Sequence, residues 1–194
     1  MDSLKAVKNG KPDPYVQCPE YESGNFKLRL ICIDDAEDLV LCYGDPEAWR
    51  IFNSDNCTGD FHMSTVETMN SCILAWLDAY KNRGFIRYAI IDRNTGKAIG
   101  TMEIFGGPNG GKRSDFGVLR IDVSSGYEKE APLSELINMA DAFFYDVNTE
   151  MFVTKSIPEA SGRINALVKN GYVPMATGAN WHREHYYMKK AINT

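Results

Sequence analysis

A chain of 194 residues suits one domain, and 44% hydrophobic with 24% charged residues is the balance of a globular protein with a substantial core. A formal net charge of −5 and a pI near 5.3 argue against bulk binding to nucleic acid or to an acidic membrane surface. No apolar run reaches membrane-spanning length, and MDSLKAVKNGKPDPYVQ at the N-terminus has no hydrophobic signal region, so neither an anchor nor secretion is expected.

Residues 1–25, punctuated by Pro12, Pro14 and Pro19, read as a polar N-terminal arm, with the folded domain expected over 26–194. FKLRLICI alternates well enough to predict a first strand from Phe26 to Ile33. Asp34 with Glu37 has capping-box spacing and predicts a helix start, and Asp45-Pro46 opens another helical turn through Trp49 and Phe52. Ser64 with Glu67 repeats the capping spacing. Val66, Met69, Ile73, Trp76, Leu77 and Tyr80 then share one helical face, and Gly84 ends it.

RYAIIDRNTGKAIGTMEIF predicts two strands joined at Asn94-Thr95-Gly96, a hairpin turn. A glycine-rich loop, 106–115, leads to a strand from Gly117 to Val123. SSGYEKEAP (124–132) follows, and Pro132 fits the first turn of the helix after it. Leu133, Leu136, Ile137, Ala140, Phe143, Phe144 and Val147 form its apolar stripe. MFVTKS (151–156) predicts a strand. A short helix with Ile164, Leu167 and Val168 ends at Gly171, and strands around Tyr172 and HYYMKK close the chain. This order is mixed α/β: one central, mostly antiparallel sheet with helices on both faces. The five cysteines, Cys18, Cys32, Cys42, Cys57 and Cys72, are odd in number and lack close metal-type spacing. They read as reduced, mostly buried thiols of a cytoplasmic protein. His182 and His185 have no further ligands in view, so no metal site is expected.

LRLICIDDAEDLVLCYGDPEAWRIF, YAIIDRNTGKAIGTMEIF, INALVKNGYVP and HYYMKK, in this order and spacing across residues 26–190, resemble the GNAT superfamily of acetyl-coenzyme A-dependent N-acetyltransferases. The resemblance is to the branch that includes ribosomal-protein-alanine acetyltransferases. It implies direct acetyl transfer from acetyl-coenzyme A to an amine held beside it, a reaction dominated by positioning. Backbone groups of the central strand, around Ile121 and Val123, would meet the pantetheine and the thioester oxygen. The loop after it, with Glu128, Lys129, Glu130 and Ala131 at the helix start, would hold the pyrophosphate.

That loop departs from the family pattern of Gln or Arg, two residues, Gly, one residue, then Gly or Ala. Aligned through the helix, Gly126, Tyr127, Glu128, Lys129, Glu130 and Ala131 match it only at Ala131, which makes the coenzyme A loop a degenerate one. A carboxylate about 6 Å from a phosphate charge costs roughly 3 kcal/mol at an effective dielectric near 20, so Glu128 and Glu130 are expected to weaken binding unless a cation such as Lys129 offsets them. The helix after MFVTKS begins in the family with an Asn, followed three residues later by a Ser. Those positions hold Ala160 and Arg163, and Arg163 reads either as a phosphate contact or as a solvent-facing arginine.

For catalysis, Glu103 on the strand before the central one and Asp122 on the central strand are the candidate general bases, each alternatively a solvated or salt-bridged strand residue. Tyr172 is a candidate general acid or a packing aromatic, and His62 lies where acceptor-binding residues usually sit. Two functions follow: an N-acetyltransferase acting on a protein N-terminus or a small-molecule amine, or a GNAT-fold binding or regulatory module that has lost coenzyme A. Neither involves nucleic acid or membrane, and a homodimer is compatible with both.

Overall fold

The computed structural model describes residues 13–52, 60–105, 116–143, 147, 149–176 and 184–191. Strands β1 (Tyr21–Glu22) and β2 (Phe26–Leu30) open it, with Phe26 and Leu28 buried as the alternation requires. β2 stops at Leu30, short of Ile33, because the Asp35 carboxylate accepts from the Cys32 N–H at 2.9 Å and pairs with Arg29 at 2.5 Å. This pins Ile33–Asp35 as a 3-10 turn and makes Asp35, not Asp34, the acid at the start of helix α1 (Ala36–Tyr43). Helix α2 is Pro46–Phe52 and α3 is Val66–Lys81. The cap of α3 falls one residue later than expected, on Thr65, whose hydroxyl accepts from the Thr68 N–H at 3.2 Å.

Strands β3 (Ile86–Asp92) and β4 (Ala98–Phe105) form the predicted hairpin, and Gly96 at φ +73° takes the left-handed turn position. Strand β5 is Gly117–Val123. Helix α4 (Glu130–Met139) begins two residues before Pro132, which lies in the first turn where its missing N–H has no helical partner to lose. The helix ends at Met139, short of the expected stripe, and a 3-10 turn (Ala140–Ala142) follows; the stripe is nonetheless buried throughout, at Leu133, Leu136 and Ile137 on α4 and at Ala140, Phe143 and Val147 beyond it. Phe144 lies outside the described residues, as do Cys57, His182 and the loop 106–115. Strand β6 (Met151–Lys155), helix α5 (Ser161–Lys169) and strands β7 (Val173–Pro174) and β8 (Tyr186–Lys190) follow.

Among the described residues the strands make one sheet, ordered β1-β2-β3-β4-β5-β6-β8-β7, and every neighbouring pair is antiparallel except β5 with β6. Tyr88, Met102, Leu119, Ile121 and Val123 face α4 and α5 on one side. Ala89 and Ala98 face α1, α2 and α3 on the other, with Leu39, Phe52, Ile73 and Trp76. The fold is therefore the expected mixed α/β sheet covered on both faces. The N-terminal segment is docked from Asp13 onward: Asp13 pairs with Arg83 at 2.5 Å, and Tyr15 stacks on Tyr80 at 5.7 Å. No described helix is long and apolar enough to cross a membrane.

Candidate active site

The parallel pair at the sheet centre is short. β5 meets β6 at Gly117↔Phe152 and Val118↔Val153, after which the ladder ends and the strands part. Close approach at the closed end depends on Gly117, where a Cβ would fall 2.6 Å from a Phe152 ring carbon. Beyond it β5 runs on to Val123 with no ladder to β6, which leaves a cleft-like gap at this edge, and backbone polar groups along it need other partners. The Ile121 carbonyl finds one in Arg163, whose Nη1 donates at 2.8 Å.

Two helix starts converge on this cleft. Lys129 stands before α4 and Ala160 before α5, and neither side chain makes a cap hydrogen bond, so neither helix start is capped from its own N-cap residue. The starts touch: a Cβ on Gly162 would lie 3.1 Å from the Glu128 carbonyl oxygen and 3.3 Å from the Lys129 Cα. Arg163 fills the space below, with Nε 3.2 Å from Glu128 Oε2 and Nη2 donating to Oε1. Only 7% and 9% of these two side chains is exposed. Arg163 is therefore neither solvent-facing nor unpaired.

Lys129 is exposed and does not offset Glu128; Arg163 does. Glu130 has its own cation, Lys169, at 3.6 Å on the surface. Ala131 follows in the first turn of α4 and borders a cavity of about 250 Å³ with Phe26, Tyr127, Asp92 and Glu135. Both carboxylates there are already bonded: Asp92 accepts from the Tyr127 hydroxyl at 2.7 Å and Glu135 from the Asn25 amide at 2.7 Å. The loop is tied at a second point, where the Ser125 N–H donates to Asp45 at 2.8 Å.

Glu103 and Asp122 come together on the opposite face, under α1 to α3. Register places Arg87 beside Glu103 and Glu103 beside Arg120, with Thr101 beside Asp122. Arg87 pairs with Glu103, and Asp122 accepts from Arg120 Nε at 2.8 Å and from the Tyr43 hydroxyl at 3.0 Å. Trp76 covers Arg87 at 4.1 Å and Phe61 covers Arg120 at 4.0 Å. Burial and the Asp122 charge push the Tyr43 phenol well up, so it remains a donor. Periodicity gave no sign of Tyr43 in this network. The visible signal was the run of charges at alternating positions, Arg87, Glu103, Arg120 and Asp122, on three adjacent strands.

Tyr172 lies apart from these carboxylates, in the core beneath α4 and α5, with a hydroxyl that has no partner among the described residues. Burial raises its phenol far above the ordinary value. His62 is exposed, with its ring 5.6 Å from Trp49, and His185 is exposed beside Glu184. No group of three or more metal-ligating side chains occurs among the described residues.

No family model and no curated protein matches the sequence. Solved structures do match. A ribosomal-protein-S5-alanine acetyltransferase from Vibrio fischeri is 17% identical, with a TM-score of 0.64 over 89% of this chain and 97% of the other. A GNAT-family acetyltransferase from Bacillus anthracis is 12% identical, with a TM-score of 0.66 over 89% and 99%. RimJ from Mycobacterium smegmatis, solved with a coenzyme A disulfide, is 16% identical, with a TM-score of 0.66 over 86% and 82%. At these identities the likeness establishes the fold alone, which is that of the GNAT acetyltransferases.

Proposed function

We propose that this GNAT-fold chain is an N-acetyltransferase that moves an acetyl group from acetyl-coenzyme A to a primary amine, either a protein N-terminus or a small-molecule amine. The observation that supports this reading is the splay of β5 from β6, with two helix starts lacking side-chain caps at its mouth. Acetyl-coenzyme A supplies the acetyl group as a thioester. The residues present fit it in part: the β5 backbone at Ile121 and Val123 suits a pantetheine amide chain, and Arg163 with the first turns of α4 and α5 suits a diphosphate. The Glu128 carboxylate does not fit. Preorganised N–H groups of β5 would stabilise charge developing on the carbonyl oxygen without reorganising at the moment of reaction.

Glu103 has a side chain 11% exposed, against 3% for Asp122, and is the residue we assign to take the proton from the amine. Asp122 then holds Arg87 and Arg120 in place, and Tyr172 packs the core. The amine named in the Vibrio fischeri protein, an alanine of a ribosomal protein, is the first acceptor class to try.

A specific observation favours the second reading, a binding or regulatory module that has lost the cofactor: the Arg163–Glu128 pair occupies the splay. Calorimetric titration with coenzyme A and acetyl-coenzyme A, followed by thiol release in the presence of alanine-terminated peptides and small amines, decides between them. Binding with amine-dependent thiol release is expected. No binding of either ligand at millimolar concentration transfers the assignment to the module, while binding without thiol release from any of these amines overturns the acceptor classes named here.

A further inference from the structure

We propose that Arg163 and Glu128 form an internal latch, in which the Glu128 carboxylate occupies the place of a ligand phosphate and holds the cleft shut in the free protein. The proposal rests on the acyl-coenzyme A reading of this cleft and adds its regulation.

Three features point to a latch rather than an ordinary salt bridge. The guanidinium is divided between two partners, Glu128 and the Ile121 carbonyl, so one side chain joins the loop, α5 and the unpaired edge of β5. The pair is buried where both helix starts lack a side-chain cap, so the Glu128 carboxylate is the anion standing at that mouth. The loop, finally, is tied down independently of the pair, once through a backbone N–H and once through a side-chain hydroxyl. Ser125 is bonded to Asp45, and Tyr127 to Asp92. Opening therefore needs only the Glu128 side chain to swing toward water and Arg163 to follow, with no refolding of the loop.

A buried arginine stripped of its carboxylate is strongly disfavoured, so the cleft stays closed until another anion replaces Glu128. A diphosphate offers that replacement, with more charge than a carboxylate and matched geometry for a guanidinium. Once released from the Ile121 carbonyl, Arg163 also frees a β5 acceptor for an amide of the ligand.

The test uses the full chain, coenzyme A and three variants. Glu128→Gln keeps shape and a hydrogen bond to Arg163 but weakens the grip. It should tighten coenzyme A binding at least about tenfold and speed amide hydrogen exchange across 119–123. Arg163→Met with Glu128→Gln removes both charges, so folding is not burdened by a lone buried ion. This variant should exchange faster but bind no better than wild type, because the phosphate partner is gone. Arg163→Lys should bind more weakly than wild type, since an ammonium lacks the planar fork. Unchanged exchange and unchanged affinity in a folded Glu128→Gln protein would overturn the latch, while coenzyme A binding by wild type would leave the acetyltransferase reading in place. Faster exchange with no coenzyme A binding in wild type or Glu128→Gln would instead overturn that reading, and with it the exchange of Glu128 for phosphate.

Discussion

Phe143 shows how much a single residue of the apolar stripe that runs on past α4 carries. Its ring is 1% exposed, stacks on Tyr88 at 5.2 Å and meets Tyr21 edge-on at 4.9 Å. Phe143→Ala should cost about 3–5 kcal/mol in denaturant melts, and a change under about 1 kcal/mol would contradict this packing. The Tyr127–Asp92 hydrogen bond links residue chemistry to pH. The Tyr127 hydroxyl, foremost, holds the Asp92 carboxyl below its ordinary 3.8, against the opposing effect of burial. A carboxyl depressed in the folded state stabilises above its unfolded value, and that contribution is lost as pH falls through the folded value. The same bond pushes the Tyr127 phenol from 10.0 up to about 12, so its contribution is present below the unfolded value and lost as pH rises through the folded one. Tyr127→Phe should therefore reduce the loss of stability as pH falls below about 4, and also the loss as pH rises above about 10. Urea melts at both ends compare the two proteins.

At the scale of elements, the β4–β5 pairing positions both the cleft and the charge network on the opposite face. Gly100 makes it possible: a Cβ there would lie 2.1 Å from the Asp122 carbonyl oxygen and 2.8 Å from the Val123 Cα, both backbone atoms that cannot rotate away. Gly100→Ala must push the strands apart and should destabilise by about 1–3 kcal/mol or more. It should also broaden or shift amide resonances of Thr101 and Asp122, which are paired in register. A wild-type melting curve and spectrum would show that the strands separate more easily than this geometry allows. Helix boundaries moved for local reasons. Asp35 displaced Asp34 because Arg29 sits within reach, and Thr65 displaced Ser64 because its hydroxyl lies on the Thr68 amide.

For the molecule as a whole, two apolar clusters share one sheet. Trp76 reports on the face covered by α1 to α3, and Tyr88 with Phe143 on the face covered by α4 and α5. Neither layer can be stripped without exposing the strands that the other layer packs against. Unfolding followed by tryptophan fluorescence, near-ultraviolet tyrosine signal and far-ultraviolet circular dichroism should therefore trace one coincident transition. Separated midpoints would mean that one face opens by itself.

The sequence by itself determined the order of elements, the hairpin through Gly96, the span of β5 from Gly117 to Val123 and the stripe of α4. These are local patterns, in which burial writes a period of two or of 3.6 into neighbouring residues. It also exposed the departures at 126–132, 160 and 163, since those are comparisons of residue type. Their consequence lay beyond it. Taken along the chain, Glu128 and Glu130 repel a phosphate and Lys129 is the nearest cation. In the folded protein Lys129 is exposed, Lys169 meets Glu130, and Arg163, 35 positions from Glu128, neutralises it inside the cleft. Glu103 and Asp122 acquired Arg87 and Arg120 in the same way, through strand register. Coulomb energy depends on separation in space and on the surrounding dielectric. Only the tertiary structure brings distant residues to those separations, so only it decided whether each carboxylate stands as a free charge or as half of a buried pair.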